Sequence, residues 1–429
     1  FLDAPVAGSV PMSVMSKPVS AVLLLRLFLP FGLGYFISYV FRTVNAVIAP
    51  DLVADLGLSP ASLGLLTSAY FLTFAAFQLP LGLLLDRYGS RRVEAMLLLF
   101  AAAGALVFSQ ANSLGGLLLG RALIGLGVSA CLMAAFKAFS AWLPAEKIPL
   151  ANGVQMVSGG LGALTATTPV QMALQITDWR WVFVFLAVSA LVAAGAVFLI
   201  VPDQPLSKTE SFTAQLSGLK TVLRSKGFWR IAPWALTAQS AYLSIQGLWS
   251  GPWLRDVGGY ERDQVAGMLF GIAVAMIIGY FSFGSLTARL AKFGVASSTV
   301  AGCGMACFLL IQLLLVVTPE YAGVLWPCFG FFGTACILPY AVLAQSFPPH
   351  LTGRCNTSLN LLVFVAAFAG QWVIGAIIGL WPISAGGGYQ LEGYRAAFLL
   401  LIVCQLCAAG WFYYAGLREQ SRQPGAGNS

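Results

Sequence analysis

The chain has 429 residues, of which 59% are hydrophobic and only 9% charged, and its mean hydropathy is +0.85. Soluble domains carry about 25% charged residues, so this composition excludes a water-soluble globular protein and places the chain in a bilayer. A formal net charge of +8 would suggest nucleic acid as partner of a soluble protein; here it reports orientation, because Lys and Arg mark cytoplasmic loops.

A spanning helix needs about 20 mostly apolar residues. Such segments are predicted near 21–50, 60–86, 93–111, 113–143, 148–176, 180–201, 229–254, 262–290, 294–317, 320–347, 353–381 and 394–417, twelve in all. Of the 23 Lys and Arg, Arg26, Arg42, Arg121 and Lys137 fall within spans, and Arg180, Arg255, Arg262 and Arg395 fall on one side. The remaining fifteen share the other side, which makes that side cytoplasmic and puts both termini there. The expected fold class is an all-α membrane protein with twelve transmembrane helices in two pseudo-symmetric six-helix bundles. Its parts are a cytoplasmic tail (1–20), a first bundle (21–201), a cytoplasmic linker (202–228), a second bundle (229–417) and a cytoplasmic tail (418–429). The opening residues FLDAPVAGSV resemble a short motif of hydroxyacid dehydrogenases. Nothing else of that family follows, so the match is read as chance or as an upstream remnant.

In the first span, FISYVFRTVNAVIAP at 36–50 holds Arg42 in an otherwise lipid-compatible run. A guanidinium at membrane depth costs roughly 3 kcal/mol on insertion scales. Arg42 precedes Pro50 by eight residues, about 12 Å at helical rise, too far inside to dismiss as snorkelling. The readings are an anion-binding cation facing a water-filled cavity, a structural donor to backbone carbonyls and, last, a side chain that snorkels to the headgroups.

Between the second and third spans lies GLLLDRYGSRR, starting at Gly82. It resembles the G-x-x-x-D-R-x-G-x-R-R loop of the major facilitator superfamily, and the resemblance covers the whole twelve-span chain. Gly82 permits close helix approach, Asp86 suits a helix N-terminus, and Gly89 suits a tight turn. Arg87, Arg91 and Arg92 suit carboxylates or lipid phosphates. The resemblance implies a gating contact with the start of the eleventh span near Gly353 and Arg354. It also implies alternating access, with spans one, four, seven and ten lining the cavity. GRALIGLGVSA in span four resembles the family's second motif and gives Arg121 a structural or coupling post, as a donor to carbonyls of span one. Span five reads VSGGLGALTATTP and lacks the Gly-Pro-x-x-Gly-Gly stretch of many exporters of the family.

YVFRTVNAVIAP resembles the first span of facilitator members that carry organic anions or phosphate esters, in which an Arg at this position contacts the anion. The second cation those members often carry in span seven is absent, since the repeat equivalent of Arg42 is Ser244. Lys137, on span four, is the substitute. All 15 acidic residues, Glu94 at the start of span three among them, are assigned to tails, loops or span ends. Embedded cations without embedded anions favour an anionic or zwitterionic solute.

The chain repeats once. PDLVADLGLS at 50–59 matches PWLRDVGGYE at 252–261, an offset of 202 residues (252 − 50), and GLLLDRYGSRR recurs degraded as GSLTARLAKFG at the same offset. WRWVF around Arg180 echoes YRAAF around Arg395. Such duplication marks secondary transporters. In span seven, Gln239, Tyr242, Gln246 and Trp249 recur at steps of three and four, sharing one helical face; Asn45 and Asn360 are further substrate-binding candidates.

The expected function is secondary active transport of a small organic anion or zwitterion; the alternative is export of drugs or other amphiphiles. No ATP-binding or hydrolytic motif points to an enzyme, and no residue cluster calls for a cofactor or metal. The expected partners are the solute, membrane lipids and a coupling ion (proton or counter-anion), with no nucleic acid, in a monomer of the inner membrane.

Overall fold

The computed structural model describes residues 21–144, 148–203, 212–384 and 388–421. The expectations placed on 1–20, 145–147, 204–211 and 422–429 lie outside these residues. The first half contains α1 (Ala21–Thr43), α2 (Asn45–Leu56), α3 (Pro60–Tyr88), α4 (Ser90–Gln110), α5 (Leu114–Gly127), α6 (Cys131–Trp142), α7 (Ile148–Thr165), α8 (Thr168–Leu174) and α9 (Trp179–Ile200). A linking helix, α10 (Phe212–Arg224), follows. The second half contains α11 (Lys226–Ser244), α12 (Ser250–Asp256), α13 (Arg262–Ala291), α14 (Ser297–Val317), α15 (Ala322–Gly333), α16 (Leu338–Gln345), α17 (Pro349–Ile378) and α18 (Leu391–Ser421). No strand occurs among the described residues, as a bilayer requires of a chain that does not close a barrel.

Among the described residues, ten helical segments are long and apolar enough to cross a membrane. The other two expected spans are α7 with α8 and α11 with α12, whose apolar runs are interrupted by a break and by polar side chains; the whole is consistent with twelve. Local sequence sets the ends. Ser59 Oγ accepts from Ser62 N ahead of Pro60, and Asp178 accepts from Trp181 N, each satisfying an otherwise orphaned amide. Gly89 at φ 80° turns the chain between α3 and α4, a conformation that L side chains avoid.

The duplication read from sequence is visible in atoms. Arg180 Nη1 donates to Ala111 O at 3.1 Å in the first half, and Arg395 Nε donates to Val316 O at 3.1 Å in the second. Trp179 Nε1 donates to Asp55 Oδ2 at 2.8 Å, and Tyr394 Oη to Asp256 Oδ2 at 2.9 Å. Gly57 and Gly259, one repeat apart, both have positive φ. Small residues bring the helices together, as packing in lipid demands: a Cβ added at Gly104 would stand 2.7 Å from Ile124 N.

Five spans are interrupted along their length, span five among them, between α7 and α8. Span one breaks between α1 and α2, and span four between α5 and α6. Span seven carries a π-helical turn over Ile245–Trp249, and span ten a 3₁₀ turn over Thr334–Ile337. Irregular backbone at membrane depth is tolerated where it is buried in protein or borders a cavity. Spans one, four, seven and ten, the spans expected to line one, are four of the five.

Candidate functional site

A cavity of about 500 Å³ lies between the halves. Spans one, four, seven and ten contribute to its wall at or beside their breaks: Arg42 and Tyr39 from α1, Ser129 before α6, Gln246 from the π turn and Ile337 from the 3₁₀ turn. From Arg42 it extends toward the end of the molecule that bears Asp86, past Gln78, Phe136, Met156, Tyr280, Tyr340 and Asn356.

The opposite end is closed. Arg262 donates from Nη1 to Asp51 Oδ1 at 3.0 Å and from Nε to Gln171 Oε1 at 2.9 Å. Gln171 and Gln175 donate to Asp263 Oδ1 at 3.1 and 3.2 Å. Below this polar seam a Cβ at Gly64 would lie 2.7 Å from Gln371 O, so α3 and α17 touch backbone to backbone.

Arg42 is the one cation in the cavity wall among the described residues, and no Asp or Glu lines it. Its guanidinium carbon lies 4.6 Å from the Tyr39 ring centroid and 5.5 Å from those of Phe74 and Phe364. Aromatic faces compensate a weakly hydrated, planar guanidinium without consuming its donor fork. Arg42 Nε has no hydrogen-bond partner, and neither do Gln239 Oε1, Tyr242 Oη and Asn356 Oδ1, all buried atoms of cavity-lining residues. Buried polar atoms are rarely left unpaired, so this set has the character of a site for a polar ligand. It offers a cationic fork and two amide oxygens that accept from ligand hydroxyls.

Several expected site residues meet here: Arg42, Gln239, Tyr242, Gln246 and Asn360 all line the cavity. Gln246 Nε2 lies 3.4 Å from Met276 Sδ, and Asn360 Oδ1 accepts from Tyr340 Oη at 3.2 Å. Three others are placed elsewhere. Asn45 is fully buried and donates to Thr67 Oγ1 at 3.0 Å. Trp249 Nε1 donates to Gln371 O at 2.9 Å near the closed end. Lys137 forms an ion pair with Asp86, so the expected Arg42–Lys137 clamp does not form: Lys137 lies two turns nearer the Asp86 end than the break at Ser129. Sequence reasoning passed over Tyr35, Tyr39, Phe74, Tyr280, Tyr340 and Asn356, because it weighed charge and one face of span seven rather than the aromatics of spans one, two, eight and ten or an amide near the start of span eleven.

Arg121 is buried and donates from Nη1 to Phe41 O at 2.8 Å, packed beside Phe108 and Phe183. In the 82–92 loop, Arg87 lies over the Tyr88 ring, and Arg91 and Arg92 reach Asp203 at 3.3 and 3.8 Å. Arg354 lies against Gly218 of α10 rather than against Asp86. Asp86 takes Lys137 as its ion-pair partner at this end of the cavity. One acid departs from expectation. Glu94, at the start of span three as assigned, is fully buried among α1, α4 and α6 rather than at a wet helix end.

A family model described as Major Facilitator Superfamily matches residues 31–371. The chain is 23% identical over 388 residues to the hexuronate transporter of Escherichia coli (strain K12), an alignment covering 82% of this chain and 88% of that one. It is 27% identical over 251 residues to the galacturonate transporter of Dickeya chrysanthemi, covering 54% and 72%. Among solved structures, a bacterial homolog to the human lysosomal transporter Spinster, inward-facing and unoccupied, superposes with a TM-score of 0.75 at 19% identity, covering 93% of this chain and 97% of that one.

Proposed function

The chain belongs to the Major Facilitator Superfamily and is a multi-pass membrane transporter, and we propose that its solute is a small hydroxylated organic anion of the hexuronate class. The observation that carries this reading is Arg42, the cation of a cavity without a lining carboxylate, bordered by the unpaired Gln239 Oε1 and Asn356 Oδ1. A bidentate Arg–carboxylate contact supplies charge and orientation together, and sugar hydroxyls donate to the two amide oxygens. Relatives named for hexuronate and galacturonate transport support the same class.

The Asp86 end bears the basic loops and faces the cytoplasm by the positive-inside rule, so the state described is inward-facing in the inner membrane. The Asp51–Arg262 seam closes the outer side, and Asp86 leaves Lys137 for the start of α17 when the inner side closes. Alternating access then rocks the two bundles about the Arg42 site. The drug-exporter alternative draws no support from the cavity, which has no carboxylate to attract a lipophilic cation.

Counterflow in proteoliposomes tests the proposal. Radiolabelled glucuronate and galacturonate should enter vesicles preloaded with the same unlabelled acid, and Arg42→Gln should abolish entry. Normal entry with Arg42→Gln, or transport of lipophilic cations and neither acid, overturns it.

A further inference from the structure

Glu94 stands one turn inside α4 and is 0% exposed, and the one polar side chain set against its carboxyl among the described residues is the Cys131 thiol, a weak donor outside good hydrogen-bond geometry. The absence of a side chain at Gly34 of α1 leaves the room it occupies, and Cys131 of α6 lies beside it. Cys131 is the first residue of α6. It follows directly on the break in span four, whose Ser129 lines the cavity. Glu94 therefore sits behind the wall of the cavity, across the seam between α1 and α6.

Among the described residues no Lys or Arg forms an ion pair with it, and Arg26 and Arg42 of α1 stand about two turns to either side of Gly34. Arg91 and Arg92 of its own helix pair with Asp203. Lys137 of α6 pairs with Asp86 of α3, Arg121 of α5 donates to Phe41 O, and Arg180 of α9 donates to Ala111 O. Tyr35, the ionisable neighbour of Gly34 on α1, turns to Met156. An ionised carboxylate in this place costs several kcal/mol without a partner, whereas a neutral carboxyl is tolerated.

We infer that Glu94 is the proton-binding site of the transport cycle, coupled to the anion at Arg42 through the α1–α6 seam. The carboxyl is neutral while the seam is packed as here. The carboxylate takes up a proton from bulk water when the seam is open to one side, is carried neutral while the seam is packed, and releases that proton to bulk water when the seam opens to the other side. One proton accompanies one monoanion, so the step is electroneutral. This rests on the anion reading of the Arg42 cavity and adds the coupling ion and its site.

The experiment uses the full-length protein in proteoliposomes with radiolabelled galacturonate. A one-unit pH gradient should drive about tenfold accumulation at one proton per anion, with no response to membrane potential. Glu94→Gln, which mimics the neutral carboxyl, should lose this accumulation while still exchanging galacturonate in counterflow. A second readout needs no variant: dicyclohexylcarbodiimide, which attacks protonated carboxyls in apolar surroundings, should label Glu94 of the wild type, with labelling falling as pH rises. Accumulation by Glu94→Gln at the wild-type level overturns the inference, as does an adduct map that omits Glu94. Wild-type exchange without any response to the pH gradient sinks the coupling but leaves the anion reading intact. Failure of wild-type counterflow sinks both.

Discussion

Arg262 of α13 donates to both carboxylate oxygens of Asp51 on α2, from Nη1 to Oδ1 at 3.0 Å and from Nη2 to Oδ2. The pair joins the two halves across the closed end of the cavity. Because both side chains are partly exposed, it is worth only about 0.2–1 kcal/mol. That suits a contact which must open in every transport cycle.

This pair gives the first prediction. Asp51→Arg should set two cations against each other, while Asp51→Arg combined with Arg262→Asp restores the attraction. A cysteine placed at Thr43, buried under the closed end, should label faster from the Asp51 side in the single variant and return toward the wild-type rate in the double. Equal rates in all three proteins would show that the seam does not set the conformational balance.

Arg42→Gln should raise the dissociation constant for galacturonate roughly ten- to a hundredfold, the equivalent of losing one charge-assisted contact of about 1.5–3 kcal/mol. Arg42→Lys should recover part of the loss, since an ammonium keeps the charge without the planar fork. Isothermal titration of the purified variants measures both. Full recovery by Lys would show that charge alone, and not the fork, holds the solute.

Arg121→Gln should behave in the opposite way. It leaves Phe41 O without the guanidinium donor seen at 2.8 Å, a loss of about 1–3 kcal/mol. The melting temperature should fall while the surviving protein binds galacturonate with unchanged affinity. An affinity loss at unchanged melting temperature would move Arg121 from the scaffold to the binding site.

Lys137→Gln and Asp86→Asn should both lower the rate of transport and leave the dissociation constant nearly as it was. Their ion pair lies outside the cavity wall, at the end where the loop and α17 must meet and part. Stopped-flow flux alongside equilibrium binding separates the two quantities. A large fall in affinity for Lys137→Gln would put that lysine in contact with the solute after all.

Much of this molecule is legible in its sequence. Apolar runs of spanning length, the 202-residue repeat and the Gly82–Arg92 motif fix the membrane, the duplication and the family. Each depends on the bilayer, which forbids unpaired backbone and so makes helix and topology follow from hydropathy. Arg42 was legible for the same reason: a charge in an apolar run stands out because lipid penalises it.

What the sequence could not determine is which of several embedded polar groups face each other. Arg42, Arg121 and Lys137 are alike in a hydropathy profile. Only the tertiary structure separates them, giving the first aromatic faces, the second the Phe41 carbonyl and the third the Asp86 carboxylate. Glu94 makes the same point from the other side. Its place near a helix end reads as wet, and only the packing of Gly34 and Cys131 around it makes it dry. Hydropathy is a property of a segment, whereas the cost or use of a charge is set by the atoms within a few ångströms of it, and those come from distant parts of the chain.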